Sequence, residues 1–369
     1  MIVKNGLVFR EDGTFRKEDV YVEGKIIVSS ADEVTDQEVI DAEGMLVLPG
    51  LVDVHSHGAC GFDFSDANAE GLRRILAYEK EHGITSYCPT SMTLPKEELL
   101  KIFATVEEIQ GEPEAEVIAG VNMEGPFIDP AKKGAQAEDN IARPDAEFFR
   151  SCNKACGGRI RLVTLAPNMP GALEFVREVS GEVMVSIGHT TADYDTALEV
   201  MKAGAHHVTH LYNAMPPFAH RDPGVIGAAF DDPDCMMELI CDGYHIHGAV
   251  VRATFAMMGS ERMVLISDSM MATGMPNGLY SLGGQPVRMT DGKATLEDGK
   301  TIAGSATNLY DCMKKAVSFG IPRADAIFAA TRNPAKSIGI YDQVGSITPG
   351  KKAHLLLADE ELNLKKVIM

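Results

Sequence analysis

The chain has 369 residues, with 53 acidic against 34 basic side chains and a formal charge of −19. Hydrophobic residues make up 45% and charged residues 24%, ordinary globular composition that excludes a disordered, collagen-like or low-complexity chain. The acidic excess argues against nucleic acid or an anionic membrane as the main partner, but leaves room for a small anion held by a few local donors.

The seven cysteines are odd in number, scattered and without a Cys-x-x-Cys pair, as expected of reduced thiols in a cytoplasmic protein. Cys152 and Cys156, four apart, read as core residues on one helix face rather than as metal ligands. Met1 to Lys17 has acidic residues and no long apolar core, so it does not read as a signal peptide. No apolar run approaches the roughly 20 residues a membrane helix needs.

In chain order, residues 1–47 read as short strands cut by the turn pairs Asn5-Gly6, Asp12-Gly13 and Glu23-Gly24. The last stretch, from about Gly345, has the same texture, and the two ends are expected to meet. From residue 48 onward short apolar runs alternate with amphipathic stretches. Eight strands are expected: Leu51–His55, Ile84–Pro89, Val117–Met123, Ile160–Leu165, Val183–Ile187, His207–Leu211, Met236–Cys241 and Met263–Ser267. Helices are expected over Gly71–His82, after Leu94-Pro95, and over Ala192–Ala203 and Ala249–Met258, with glycine stops after several of them. Two more, Asn308–Phe319 and Ala324–Ala330, follow the eighth strand. The α/β pattern predicts a (β/α)8 TIM-like barrel over residues 48–344, with residues 1–47 and 345–369 forming a small β-sandwich domain.

Active sites of such barrels lie at the C-terminal ends of the strands. His55 and His57, two apart in extended chain, face the same side. Glu124 follows the third strand, His189 the fifth and Asp268 the eighth. His206, His207 and His210 compete for the sixth position. Alternation does not separate His206 from His210, and nearness to the strand end favours His210. A lone histidine or aspartate at a strand end is usually structural or a cap, but six metal-ligating groups on one rim point to a divalent metal site. Histidine with carboxylate suits Zn, Fe, Mn or Co better than Ca or Mg. Glu124 is placed to bridge two ions, one at His55 and His57 and one at His189 and His210. Asp268 is then free to move a proton for metal-assisted hydrolysis of a polarised carbonyl.

The segments Pro49–Gly58, Glu124-Gly125-Pro126-Phe127, Gly188-His189-Thr190, His210-Leu211-Tyr212-Asn213-Ala214-Met215, Asp242-Gly243-Tyr244-His245, Ser267-Asp268, Ala303-Gly304-Ser305 and Asn333-Pro334-Ala335 resemble the amidohydrolase superfamily. Within it the chain is similar over its whole length to the N-acetylglucosamine-6-phosphate deacetylase family. The first segment is generic to the superfamily, whereas the EGPF, HLYNAM and DGYH segments together are specific. The resemblance implies removal of acetate from N-acetylglucosamine 6-phosphate to give glucosamine 6-phosphate. It implies Glu124, His189 and His210 as primary metal ligands, with one or two ions per subunit, and Asp268 as the catalytic acid–base. Asn213 and Ala214 would meet the phosphate, with Arg221 and His245 as its charged partners. Ala135 would contact the sugar, and Ile302, Ala303 and Gly304 would wall the acetyl group. In this family such an arginine can come from the neighbouring subunit, so the resemblance also implies a homodimer.

Two features depart from part of the family. Some members lack the His-x-His and use one ion, whereas His55 and His57 are both present here. Some carry a histidine, thought to polarise the substrate carbonyl, twelve residues after the metal glutamate. At that substrate-binding position this chain has Gln136, which can donate a hydrogen bond but cannot become cationic, so a second metal would supply the missing electrophilic help. The rival readings are a deacetylase for the galactosamine epimer, an amidohydrolase acting on cyclic amides, and a non-catalytic assembly protein on the same scaffold. The last would be expected to lose metal ligands, and all of them persist.

Overall fold

The computed structural model describes residues 1–369. Its centre is an eight-stranded parallel barrel of strands Leu51–Ser56, Ile84–Ser91, Val121–Phe127, Ile160–Leu165, Met184–Ile187, His207–Val208, Met236–Ile240 and Met263–Ile266, each paired with its neighbour in sequence. All eight expected strands are present. Parallel strands covered by helices are buried on both faces and therefore read as near-continuous apolar runs.

Two strands differ from expectation. The third begins at Val121 rather than Val117, because Pro113 opens a 3-10 turn over Glu114–Val117 and only a single bridge, Tyr87 to Ile118, precedes the continuous pairing. The strand also runs on past the expected Met123 to Phe127, so Glu124 sits within it, not beyond it. The sixth strand has only two residues, since the chain turns away before His210.

Between the first and eighth strands no ladder runs along the strands themselves. That seam is closed at their C-terminal ends, where Asp268 N–H donates to the His55 carbonyl at 2.9 Å and His57 N–H donates to the Ser269 carbonyl at 2.8 Å. The barrel's last join therefore lies among the histidines and the aspartate singled out above.

Inside the barrel, Val52, Val54, Leu162, Ile240, Val264 and Ile266 pack together, and Ala335, Ile338, Ile340 and Val344 fill the end away from the rim. The expected helices are present as Ala69–Glu81, Lys96–Glu108, Tyr194–Lys202, Gly248–Met258, Leu309–Ser318 and Arg323–Ala330. Cys152 and Cys156 are buried thiols at the end of helix Ala146–Ala155, and burial pushes both up, which suits core packing.

The two chain ends meet in one seven-stranded mixed sheet, with Leu364–Ile368, Leu355–Ala358 and Leu46–Pro49 leading to Ile2–Phe9, Phe15–Glu23 and Ile26–Val28. Its own apolar core includes Val3, Val8, Val20, Val47, Leu355 and Leu357. Two sheets were not anticipated, the smaller being the hairpin of Gly58–Ala59 with Phe62–Asp63. A three-stranded antiparallel sheet, Gly278–Leu282, Gln285–Thr290 and Lys293–Leu296, follows the eighth strand and packs through Leu282, Val287 and Met289 onto Met92 and Met270. No helix is long and apolar enough to cross a membrane.

Ile240 is fully buried inside the barrel. Its replacement, Ile240→Ala, is expected to lower unfolding stability by about 2–5 kcal/mol, the range for truncating a core side chain, as read by equilibrium denaturation of the purified chain.

Candidate active site

His189, His210 and Asp268 each stand two residues beyond the ends of the fifth, sixth and eighth strands. Each has a positive φ, of 48°, 29° and 48°. Non-glycine residues seldom adopt this left-handed region, and holding one there costs about 1–3 kcal/mol. The repeated bend turns three side chains toward one point. His189 Nε2 lies 3.2 Å and His210 Nε2 3.0 Å from Glu124 Oε1. Asp268 Oδ1 lies 3.4 Å from His57 Nε2. From the first strand, His55 Nε2 is 3.4 Å from Glu124 Oε1, and His57 Nε2 is 3.3 Å from Glu124 Oε2.

Directly after Glu124 the strand passes close against Thr93. Gly125 has φ +79°, and a Cβ there would stand 2.2 Å from Thr93 Oγ1, so only glycine fits.

The far sides of the rings set their protonation. His55 Nδ1 meets Glu238 Oε2 at 2.9 Å, His57 Nδ1 the Thr90 carbonyl at 3.1 Å, and His189 Nδ1 the Lys132 carbonyl at 2.9 Å. These oxygens only accept, so Nδ1 carries the proton in each ring, and a neutral ring then presents a bare lone pair at Nε2. Those lone pairs converge on two carboxylates that also accept when ionised. His55 Nε2 has no hydrogen-bond partner, and the Nε2 atoms of His189 and His210 are 3.0 Å apart. Buried acceptors facing acceptors repel unless cations or extra protons lie between them.

The titration of the groups follows from this crowding. Burial lowers His55, but Glu238 and Glu124 outweigh it and raise the ring to about 9. Burial likewise opposes charge on His57, yet Asp268 and Glu124 lift it well above its ordinary value. Burial would raise Glu124, but His55 and His189 hold it well below the usual carboxylate range. Asp268 is also lowered: burial opposes its charge, but the hydrogen bond from His57 and the nearby His55, His57 and His210 rings together outweigh it. A divalent ion competes for such a cluster by displacing protons. Two groups, His55 with His57 and Glu124, and Glu124 with His189 and His210, each have one ligand atom per residue within 4.8 Å of the others. Both suit a divalent cation of the Zn, Fe, Mn or Co class better than Ca or Mg.

Above the cluster is a cleft of about 300 Å³. Of the residues expected from sequence, it gathers His57, Glu124, Ala135, Gln136, His189, His210, Asn213, Ala214, His245, Asp268, Ile302 and Gly304. His55 lies beneath it, fully buried. Ala303 is also fully buried and packs into the apolar cluster behind the wall. Arg221 is not brought to the cleft within one chain; it lines a separate groove with Asp195, Pro216 and Pro223. His206 bonds Asp232 and His207 bonds Ser186, so both are structural, as their positions suggested. Asp242 Oδ2 lies 2.7 Å from His245 Nδ1, and Asp242 Oδ1 accepts the His245 N–H at 2.9 Å, which fixes the imidazole at the cleft wall.

Four contributors were missed, one of them Gly134, beside Ala135 in the cleft lining. Met92 and Leu282 line the cleft through a contact between distant segments that no local pattern announces. Glu238 lies beneath it and, besides His55, accepts the His210 N–H at 3.0 Å. The signal was present as a lone carboxylate in the apolar strand Met236–Ile240, since a fully buried charge needs partners.

Because Glu238 orients His55, Glu238→Ala is expected to weaken uptake of a divalent ion by about 10–100-fold, as for other partners that orient metal ligands. Competition with a coloured chelator measures this directly.

The amidohydrolase family model matches residues 46–368. The N-acetylglucosamine-6-phosphate deacetylase of Bacillus subtilis is 36% identical over 98% of this chain and 90% of that protein. The N-acetylgalactosamine-6-phosphate deacetylase of Escherichia coli O157:H7 is 32% identical over 92% and 90%. Among solved structures, a mutant N-acetyl-D-glucosamine-6-phosphate deacetylase of Mycobacterium smegmatis in complex with N-acetyl-D-glucosamine-6-phosphate superposes with a TM-score of 0.91 at 30% identity, over 100% of this chain and 97% of that one. The buried histidine–carboxylate cluster, the barrel and these full-length likenesses agree: the chain belongs to the amidohydrolase family.

Proposed function

We propose that this chain is an N-acetylglucosamine-6-phosphate deacetylase, which hydrolyses the acetamide to acetate and glucosamine 6-phosphate. The observation that carries the reading is the convergence of buried Nε2 and carboxylate acceptors beside Asp268 at the floor of a cleft, in a chain matched end to end by such deacetylases.

In this reading Glu124, His189 and His210 would hold one divalent ion, and His55 and His57 with Glu124 would hold a second, drawn from Zn, Fe, Mn or Co. When bound, such an ion acidifies water and polarises the carbonyl. Asp268 is the acid–base. Its carboxylate takes a proton from the attacking water as the new C–O bond forms. It then gives that proton to the nitrogen as the C–N bond breaks, so acetic acid and the amine leave, and the acid's remaining proton passes to the amine or to solvent. Asp268 stands 3.4 Å from His57 Nε2, beside the metal-ligating groups, where a bound ion would keep its carboxylate ionised before the attack. Met92, Leu282, Ile302 and Gly304 line the less polar part of the cleft and wall the acetyl group. Ala135 meets the sugar.

The phosphate falls to His245, held by Asp242, and to Asn213 and Ala214 in the turn after His210. Arg221 offers a planar guanidinium suited to phosphate oxygens. Its place in a separate groove of the same chain favours service to the cleft of a neighbouring subunit, and so a homodimer. The barrel, expected over residues 48–344, carries the chemistry, and the two chain ends, including the strand Leu46–Pro49 that reaches two residues past the expected boundary at 47, form the flanking domain.

The likeness to the galactosamine-specific relative keeps the epimer as a second substrate reading. Acetate release decides among these, with protein loaded in parallel with Zn, Fe, Mn or Co. N-acetylglucosamine 6-phosphate is expected to turn over well above both its unphosphorylated form and the galactosamine epimer. Equal turnover with and without the phosphate would contradict the assignment. Asp268→Asn is expected to keep its ions and to lose about 10²–10⁴-fold in kcat, the usual range for a positioned acid–base group. Near-normal kcat in that variant would remove Asp268 from the role.

A further inference from the structure

Gln136 is almost completely buried, 2% exposed, and its amide is committed at both ends. Nε2 donates to Glu124 Oε2 at 2.6 Å, and Oε1 accepts the Thr93 N–H at 2.7 Å. The Thr93 donor decides which end of the amide is oxygen, because a flipped amide would set its NH2 against a backbone N–H. Gln136 must therefore present a donor to Glu124.

The loop that carries Gln136 also holds a second site residue. Gln136 N–H donates to the Lys133 carbonyl at 2.9 Å, and the adjacent Lys132 carbonyl accepts from His189 Nδ1. Five consecutive residues thus orient both Glu124 and His189.

The two oxygens of Glu124 have different surroundings. Oε1 faces three imidazole Nε2 atoms, those of His210, His189 and His55. Oε2 faces His57 at 3.3 Å and the Gln136 amide. Without the amide, nothing but His57 fixes Oε2. The carboxylate is then free to turn about its terminal torsion, a broad and soft one, and to give both oxygens to the His189 and His210 side.

We propose that Gln136 is a positioning residue that holds Glu124 across the two histidine pairs. Its loss uncouples them, releasing the ion at His55 and His57 while the ion at His189 and His210 stays. The inference rests on the metal-dependent reading above, but its readout is ion binding, not turnover.

The test is a titration of the chelator-stripped full chain with Mn²⁺ alone, followed by electron paramagnetic resonance. The wild-type chain is expected to bind two ions with the broadened signal of a coupled pair. Gln136→Met is expected to bind the second ion about 10–100-fold more weakly and to show an isolated-ion signal when one equivalent is bound. Gln136→His, which retains an N–H donor, is expected to keep the pair. Thermal unfolding of the stripped variants verifies that they fold. Two ions bound to Gln136→Met with wild-type affinities, or equal weakening of both, overturns the proposal. So does a wild-type chain that takes up a single ion, and uptake of none overturns the functional reading as well.

Discussion

The structure turns on one constraint: buried imidazoles and carboxylates that offer one another mostly lone pairs are held face to face. Four imidazoles and two carboxylates meet at separations of 3.0–3.4 Å. Three of the rings are oriented from behind so that a lone pair points inward. Left to themselves such groups must gather protons, as the raised His55 and His57 reflect. A divalent cation satisfies them better, because it takes lone pairs from several directions at once. The architecture around the cluster serves to keep these mutually repelling groups in place.

Three devices do so. The left-handed turns at His189, His210 and Asp268 store local strain, which persists only where the surroundings over-determine the backbone. The seam between the first and eighth strands is joined through the backbone of His55, His57, Asp268 and Ser269, so the ligands and the closure of the barrel depend on each other. Glu238 ties the first strand's His55 to the turn at His210. The site is therefore built into the barrel's closure rather than laid on its surface.

Much of this was legible in the sequence. The apolar runs located all eight strands, and the parity of His55 and His57 put both on one side. Position alone picked His210 over His206 and His207, whose partners are Asp232 and Ser186. What stayed hidden was long-range. The Gln136 tie to Glu124 and Thr93 and the sheet that brings Leu282 over the cleft join segments that no local period connects. The third strand's late start depended on a turn at Pro113. The short sixth strand reflects the backbone's early departure toward His210, which propensity does not encode. Arg221 was legible as a phosphate-type side chain, but its groove apart from the cleft is a three-dimensional fact.

The acidic balance of the chain takes on a specific meaning beside this cluster. A formal charge of −19 offers an anionic sugar phosphate no long-range attraction, so its recognition depends on short-range donors such as His245 and Arg221. The same negative field favours divalent cations. The most direct measurement is anomalous diffraction from crystals of the full chain grown with Zn²⁺. The account expects strong peaks between Glu124, His189 and His210 and between Glu124, His55 and His57. Anomalous density elsewhere on the chain, with none at Glu124, would contradict it.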